Sequence, residues 1–336
     1  CTALLLIGFG IQDSILPIVD KQSGQLTHND LTISLSDEKA LTMEQGLADT
    51  LDSSSAVRSW GAFYIKSTTL YNEEGGSADV SIVGAEDDAR MTEYFTFRTR
   101  VGHDPIPFEE DSVILTEKTA LNLELSVGDT FYVEAADGSR VPLVLTGITE
   151  NYMFTRLYLS NAQLQALLGS TPEWNTVYGL TGCTTEAEYN ALRTKLLGCN
   201  YVSSVSFTED TTSMFGSLIG SLNYVVVLII VCAAALAAVV LYNLISVNLA
   251  ERKKELATIK VLGFYDKEVY RYIFREIELL SLIGSGVGLL LGVPLHRFIV
   301  LTVEMDQLMF IRTIAPHSYL LAVALTMLFT LSLIHI

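Results

Sequence analysis

Residues 250–263 read AERKKELATIKVLG, and they follow 40 consecutive uncharged positions, 211–250. A helix crosses the hydrocarbon core of a bilayer with about 20 apolar residues, so 211–250 holds a span with length to spare. Residues 279–295 and 318–334 are two further uncharged runs, and CTALLLIGFGI (1–11) is apolar but short. A mean hydropathy of +0.38 with 50% hydrophobic residues agrees with a membrane protein. The chain starts without Met and stops inside an apolar run. It is therefore expected to be a fragment, cut within one span at the start and within another at the end. Residues 1–11 as the apolar core of a signal peptide is the alternative, but no basic segment precedes them and no small-x-small cleavage site follows.

The charge pattern orients the spans. Residues 14–215 hold 12 Lys/Arg against 29 Asp/Glu, so the whole net charge of −17 resides there. Residues 248–276 carry seven basic residues, Arg252, Lys253, Lys254, Lys260, Lys267, Arg271 and Arg275, whereas 296–316 carry only Arg297 and Arg312. Short loops rich in Lys and Arg stay in the cytoplasm. The basic segment is placed inside and the acidic domain outside the membrane. An acidic domain also argues against nucleic-acid binding, which needs a basic face. The expected organisation is a truncated first helix (1–13), an extracytoplasmic domain (14–215), a second helix (216–247), a cytoplasmic coupling helix (248–266), a third helix (267–298), an outer loop (299–316) and a truncated fourth helix (317–336).

Within 250–263, Leu256, Ile259 and Leu262 form an apolar stripe at helical spacing, and Gly263 suits the left-handed position that ends a helix. A positively charged loop that happens to be helical has no use for such a stripe. Downstream, Gly284, Gly288 and Gly292 recur every four residues, so they share a face on which another helix can approach closely. That face serves either packing within the chain's own bundle or a sliding or dimer contact. Arg275, Glu276 and Glu278 enter the same helix, as membrane-edge anchors or as partners of a neighbouring helix.

The outer domain reads as α+β. Leu31–Leu35, Val57–Leu70, the segment around Val80–Gly84 and Tyr201–Phe207 have strand patterns, and 38–52, 161–169 and 185–197 have helical ones. Residues 85–110 look irregular. Residues 112–160 read as a small inserted β module with a turn at Asp137-Gly138 and a return strand over 141–148. Cys183 and Cys199 flank a helix about 20 Å long, whose ends cannot meet in a disulfide, so both are expected to be free thiols.

Enzyme chemistry finds no footing in the sequence. No P-loop, G-x-S-x-G, H-E-x-x-H, EF-hand loop or Cys/His cluster is present. His103-Asp104 beside Pro105 reads as a solvated turn, and paired acids such as Asp87/Asp88 are adjacent in sequence and do not face each other.

The run AERKKELATIKVLGFYDKEVYRYIFREIELLSLIGSGVGLLLG (250–292) resembles the signature of FtsX-like, MacB-type ABC-transporter permeases. Glu251, Arg252, Glu255, Leu256, Lys260, Leu262 and Gly263 match its first part, and Glu276, Gly284, Gly288 and Gly292 the helix that follows. Phe264 stands where that family often has a small residue. VILTEKTALNLELSVGDTF (113–131) and VPLVLTGITENY (141–152) resemble the family's extracytoplasmic core domain, and CTALLLIGFGIQDSI (1–15) the end of the first helix in the C-terminal half of large permeases from Gram-positive bacteria. The resemblance implies an FtsX-like helical bundle with a MacB-like outer domain. It implies a separate ABC ATPase of MacB/LolD type that binds the ATP and docks on Glu251, Arg252, Lys253, Glu255, Leu256, Ile259, Lys260, Leu262 and Gly263. The chain itself would hold no cofactor or metal and catalyse nothing. Its partners would be that ATPase, a second permease copy or repeat, the bilayer, and an extracellular protein or peptide. The work implied is mechanotransmission, or export of lipoprotein, peptide or antibiotic-type substrates. The competing class is a membrane-anchored extracellular binding module or receptor without an ATPase, and a tethered extracellular enzyme is a third.

Overall fold

The computed structural model describes residues 2–44, 46–135, 138–251, 266–305 and 307–334. The chain divides into a sheet unit, Ile18–Gly216 with Met305–Met309, and a helical unit, Cys1–Pro17, Ser217–Glu304 and Phe310–Ile336.

The sheet unit opens with α2 (Ile18–Lys21), after α1 (Thr2–Ile15) of the helical unit, and a π-helical turn, Gln22–Leu26. Strand β1 (Leu31–Leu35) alternates buried and half-buried residues, as a strand covered on one face must. Helices α3 (Lys39–Thr42) and α4 (Leu47–Asp52) precede the long β2 (Val57–Tyr71), which turns through Gly75 into β3 (Ser77–Ala85). Then come α5 (Asp88–Tyr94), β4 (Val113–Thr116), α6 (Glu117–Asn122), β5 (Thr130–Glu134), β6 (Arg140–Val144), β7 (Gly147–Thr149) and β8 (Arg156–Leu159). Helix α7 (Asn161–Leu168), β9 (Thr176–Thr181), α8 (Glu186–Leu197) and β10 (Val202–Phe207) complete the unit. A capping box between Thr185 and Glu188 starts α8.

The strands lie in the order β10-β1-β9-β2-β3-β8-β4-β7, with β5 paired to β2 and β6 to β5. All pairs are antiparallel except β3–β8 and β4–β7. One core packs α4 and α8 on β1, β9 and β10 through Leu47, Leu51, Leu192, Leu196, Leu31, Ile33 and Phe207. A second packs α6 and α7 on β2 to β5 and β8 through Leu70, Val80, Leu115, Phe131, Leu157 and Leu164. A third is aromatic, with Phe63 edge-on to Tyr94 and Phe95. Each such buried side chain contributes about 1.5–3 kcal/mol.

Several expectations change here. The helix expected over 38–52 is two short helices, because the chain turns extended at Met43. The span 85–110 is not wholly irregular: Asp87 accepts from the Ala89 amide and caps α5. The return strand 141–148 splits where the Thr146 hydroxyl accepts from Val113 N and donates to Val113 O, replacing strand pairing. The expected inserted module is not a separate body. Strand β8 pairs with β3 and β5 pairs with β2, so residues 112–160 continue the same sheet. Cys183 and Cys199 are free.

In the helical unit, α1 is central. Its Leu5 and Leu6 are fully buried against Ala233 of α9 (Thr208–Glu251), Leu289 of α10 (Asp266–Val303) and Ala322 and Leu325 of α11 (Pro316–Ile334). Among the described residues, the helical stretches Thr2–Leu26 and Glu278–Val303 are long and apolar enough to cross a membrane, and Val227–Val240 and Pro316–Thr330 are shorter apolar helices. At 44 residues, α9 is about 66 Å long, and the boundary between the two units falls within it.

Candidate functional site

Glu251 closes α9 and is exposed. Arg252, Lys253, Glu255, Leu256, Ile259, Lys260, Leu262 and Gly263, the rest of the expected docking helix, lie outside the described residues. Glu276 lies within α10, whose Arg275 and Glu278 are exposed.

The three glycines of α10 separate in role. A Cβ at Gly288 would lie 2.9 Å from Thr2 Cβ and 3.3 Å from the Ala3 amide nitrogen. One at Gly292 would lie 2.9 Å from Leu6 Cδ2 and 3.3 Å from Ala3 Cα. Gly284 has open space on that side. The first two are therefore seats for α1 within the chain's own bundle. Gly288→Val and Gly292→Val are each expected to cost about 1–3 kcal/mol, since Ala3 backbone must give way. Gly284→Val should stay within about 0.5 kcal/mol. The temperature at which the full chain leaves the monodisperse peak in detergent gel filtration checks this.

Polar contacts follow the same seam. Thr2 Oγ1 lies 3.4 Å from Ser285 Oγ and 3.1 Å from Thr326 Oγ1, and Ser281 lies 3.2 Å from Thr330. Close to its end, α1 meets α10 through buried His296. Its Nε2 is 3.2 Å from Ser14 Oγ, and its ring covers Gly10 so closely that a Cβ there would lie 2.6 Å from Cδ2. Gly10 and His296 carried no periodic signal, since their packing partners are remote in sequence. Asp13 Oδ2 accepts from Ala315 N and Ser318 Oγ, which ties α1 to the start of α11. Buried Glu304 accepts from Phe310 N at 2.8 Å and from Arg312 Nη2 at 3.0 Å, closing the connection between α10 and α11.

The sheet unit offers two anchorages. The first is the entry to α9, which follows β10 without an intervening residue. Thr208 Oγ1 donates to Asn29 O at 2.7 Å, Asp210 accepts from Phe207 N, and Asp210 pairs with Arg193. The second is the loop 150–154. Glu150 is fully buried; its Oε2 accepts from Arg98 Nε at 2.6 Å, its Oε1 from the Tyr152 hydroxyl at 2.5 Å, and His103 Nδ1 lies 3.4 Å away. His103, with φ 57°, lies in an exposed turn, as expected, with its ring at the edge of this site. The Gln22 amide reaches the same loop. Its Oε1 accepts from Tyr152 N (2.9 Å) and Met153 N (3.2 Å), and its Nε2 donates to Asn151 Oδ1 (2.9 Å) and Thr27 Oγ1 (2.9 Å). The loop's anchorage was not legible beforehand, because Arg98 lies 52 residues from Glu150 and Gln22 lies 129 to 131 residues from Asn151, Tyr152 and Met153.

Burial first, and then the hydrogen bond to Glu150, pushes the Tyr152 phenol far above its ordinary pKa; burial also raises Tyr64, Tyr94 and Tyr178. A raised folded-state pKa favours the neutral phenol, so this stabilisation is complete below pH about 10 and is lost as pH rises through the folded values. The four buried tyrosines should ionise only as tryptophan fluorescence reports unfolding, which an alkaline titration at 295 nm checks.

A cavity of about 590 Å³ opens beside β2, lined by Tyr64, Lys66, Thr68, Glu134, Val141 and Leu167 among others. Among the described residues no group of three or more His, Cys, Asp or Glu is placed to hold a metal.

No curated protein sequence matches the chain. Among solved structures, the extracellular domain of the noncanonic ABC-type transporter YknZ from Gram-positive bacteria is 13% identical, with 54% of this chain and 99% of that one covered at a TM-score of 0.35. The periplasmic region of MacB from Actinobacillus actinomycetemcomitans is also 13% identical, with coverage of 57% and 94% and a TM-score of 0.36. A domain of a permease protein from Porphyromonas gingivalis is 11% identical, with coverage of 54% and 89% and a TM-score of 0.31. The family model of the FtsX-like permease C-terminal region matches residues 227–336, which contain α10, its glycines 284, 288 and 292, and the basic segment before it.

Proposed function

We propose that the chain is the permease subunit of an ABC-type transporter. A separate ATPase binds and hydrolyses ATP in the cytoplasm and docks on 250–263, and its closure displaces α9 and α10 and moves the outer sheet unit. The chain spans the plasma membrane several times with residues 14–215 outside, works with a second permease copy or repeat, and catalyses nothing itself. The uncharged runs, the seven basic residues over 248–276 and the family match support this topology.

The observation that carries the proposal is α9. It runs as one helix from Thr208, fixed to the sheet unit through Asn29 and Arg193, to Glu251 at the edge of the basic segment. A continuous helix transmits displacement along its axis, because every backbone hydrogen bond is already made. The test is co-expression of the full chain with the ABC ATPase of its own genome. Recovery of both in one detergent-stable complex, with ATP hydrolysis altered by the permease, is the expected result. An ATPase that never co-purifies overturns the proposal.

An anchored extracellular binding module is the alternative, and the cavity beside β2 favours it, since its volume lies in the range of small-ligand sites. That alternative predicts no ATPase in the complex.

A further inference from the structure

We infer that the loop 150–154 is the point at which α1, α10 and α11 act on the sheet unit, with Gln22 as the positioning residue that clamps it; the inference rests on the permease proposal and extends it.

Two chain segments that lead out of the helical unit end on these five residues. The first is the leg Ile18–Leu26, which begins three residues after the end of α1. Its Gln22 uses both amide hydrogens and both lone pairs of its carbonyl oxygen, two of the four bonds going to the backbone amides of Tyr152 and Met153. The second is the strip Met305–Met309, which begins two residues after α10 and leads on to α11. Phe154 N donates to Gln307 O at 2.9 Å and Met309 N to Tyr152 O at 2.9 Å, so Met153 and Leu308 face each other as an antiparallel bridge. The loop is stiff enough to take both. Asn151 Nδ2 donates to Met153 O and Phe154 O, and behind it Glu150 is held by Tyr152 and Arg98.

Asn151 and Gln22 also bond each other, so the leg and the strip are held on the same five residues, the leg by side chains and the strip by backbone. By connectivity, displacement of the outer ends of α1, α10 and α11 arrives at one place, and displacement of α9 arrives at another, β10. The sheet unit thus has two separate mechanical inputs. A purely structural Gln22 would affect the fold's stability and not the route by which movement enters.

The test uses the full chain, with its cysteines replaced by serine, alone and with its ATPase in lipid nanodiscs, read by amide hydrogen exchange. Gln22→Leu keeps the volume and removes the amide. We expect at least 10-fold faster exchange at Tyr152–Phe154 and also at Gln307–Met309, which Gln22 does not touch, beyond any change over β1 and β9, which reports the stability of the sheet unit as a whole. With ATPase bound and hydrolysing at the wild-type rate, the ATP-dependent change in exchange over β4–β8 should be lost. The bridge between Met153 and Leu308 is of the narrow, non-hydrogen-bonded kind, with Cα atoms about 4.5 Å apart, which suits a disulfide. The oxidised pair Met153→Cys, Leu308→Cys, added to Gln22→Leu, should restore protection at 307–309 and with it the response to ATP. Unchanged exchange at 307–309 in Gln22→Leu, or a full ATP response once that protection is lost, overturns the inference. A wild-type sheet unit that never responds to ATP with the ATPase bound overturns the permease proposal, while the exchange at 307–309 still decides whether Gln22 joins leg and strip.

Discussion

The double substitution Glu255→Lys, Leu256→Asp is expected to abolish recovery of the ATPase with the permease, while the chain still inserts in the membrane and retains its tryptophan emission. Leu256 belongs to the stripe Leu256–Ile259–Leu262, and a fully buried leucine contributes about 1.5–3 kcal/mol to a contact. Aspartate removes that contribution and adds a charge that must be desolvated without a partner. Reversal at Glu255 adds like-charge repulsion beside Arg252, Lys253 and Lys254 if the partner's groove is basic, and removes a hydrogen-bond acceptor in any case. Together the two should weaken docking at least about 100-fold, since each 1.4 kcal/mol is a factor of ten. Arg297→Ala, in the segment assigned to the outside, is the control and should leave recovery intact. Co-purification that survives the double substitution would remove 250–263 from the interface.

The second large effect belongs to Glu150→Ala. Glu150 is buried completely and answers two donors at once, Arg98 Nε and the Tyr152 hydroxyl. Removing one partner of a buried ion pair costs about 3–5 kcal/mol, because the other is left uncompensated. Both tryptophans, Trp60 and Trp174, lie in the sheet unit, so their emission follows its unfolding alone. For a unit of this size the midpoint should fall on the order of 10 °C. Glu150→Gln keeps one acceptor and should cost clearly less. Adding Arg98→Met to Glu150→Leu should return part of the loss, since an apolar replacement of both partners avoids the stranded charge. A double variant no more stable than Glu150→Leu would show that the pair's charge is not what holds the loop.

What could be read in the sequence depended on how local its cause was. Strand β1, with Leu31, Ile33 and Leu35 turned inward, and α8, with its Thr185–Glu188 box, are written in neighbouring residues. The uncharged runs and the basic residues after them carry the expected membrane topology on composition alone. Residues 112–160 looked like a separate module because their turns are tight and local. The parallel pairing of β8 with β3 joins residues 81–83 to 156–158, and no pattern in either segment announces it. The glycine spacing suggested one packing face for all three, but the partner that meets 288 and 292, and leaves open space at 284, is α1, remote in sequence. Gln22 is one polar residue in a polar connector until its four partners are in place.

Helix α1 sits at the centre of the helical unit, yet it is made before the helices that pack around it. Its neighbours α9, α10 and α11 follow only after about 200 residues, and at roughly 5–20 residues per second that is an interval on the order of 10–40 s. During this time Gly8 and Gly10, Thr2 and Ser14 have no helix to receive them. The intervening acidic segment must meanwhile be made and folded. Assembly of the helical unit is therefore a matter of waiting: the face of α1 that packs on α9, α10 and α11 stays without those partners until the sheet unit's residues have been made.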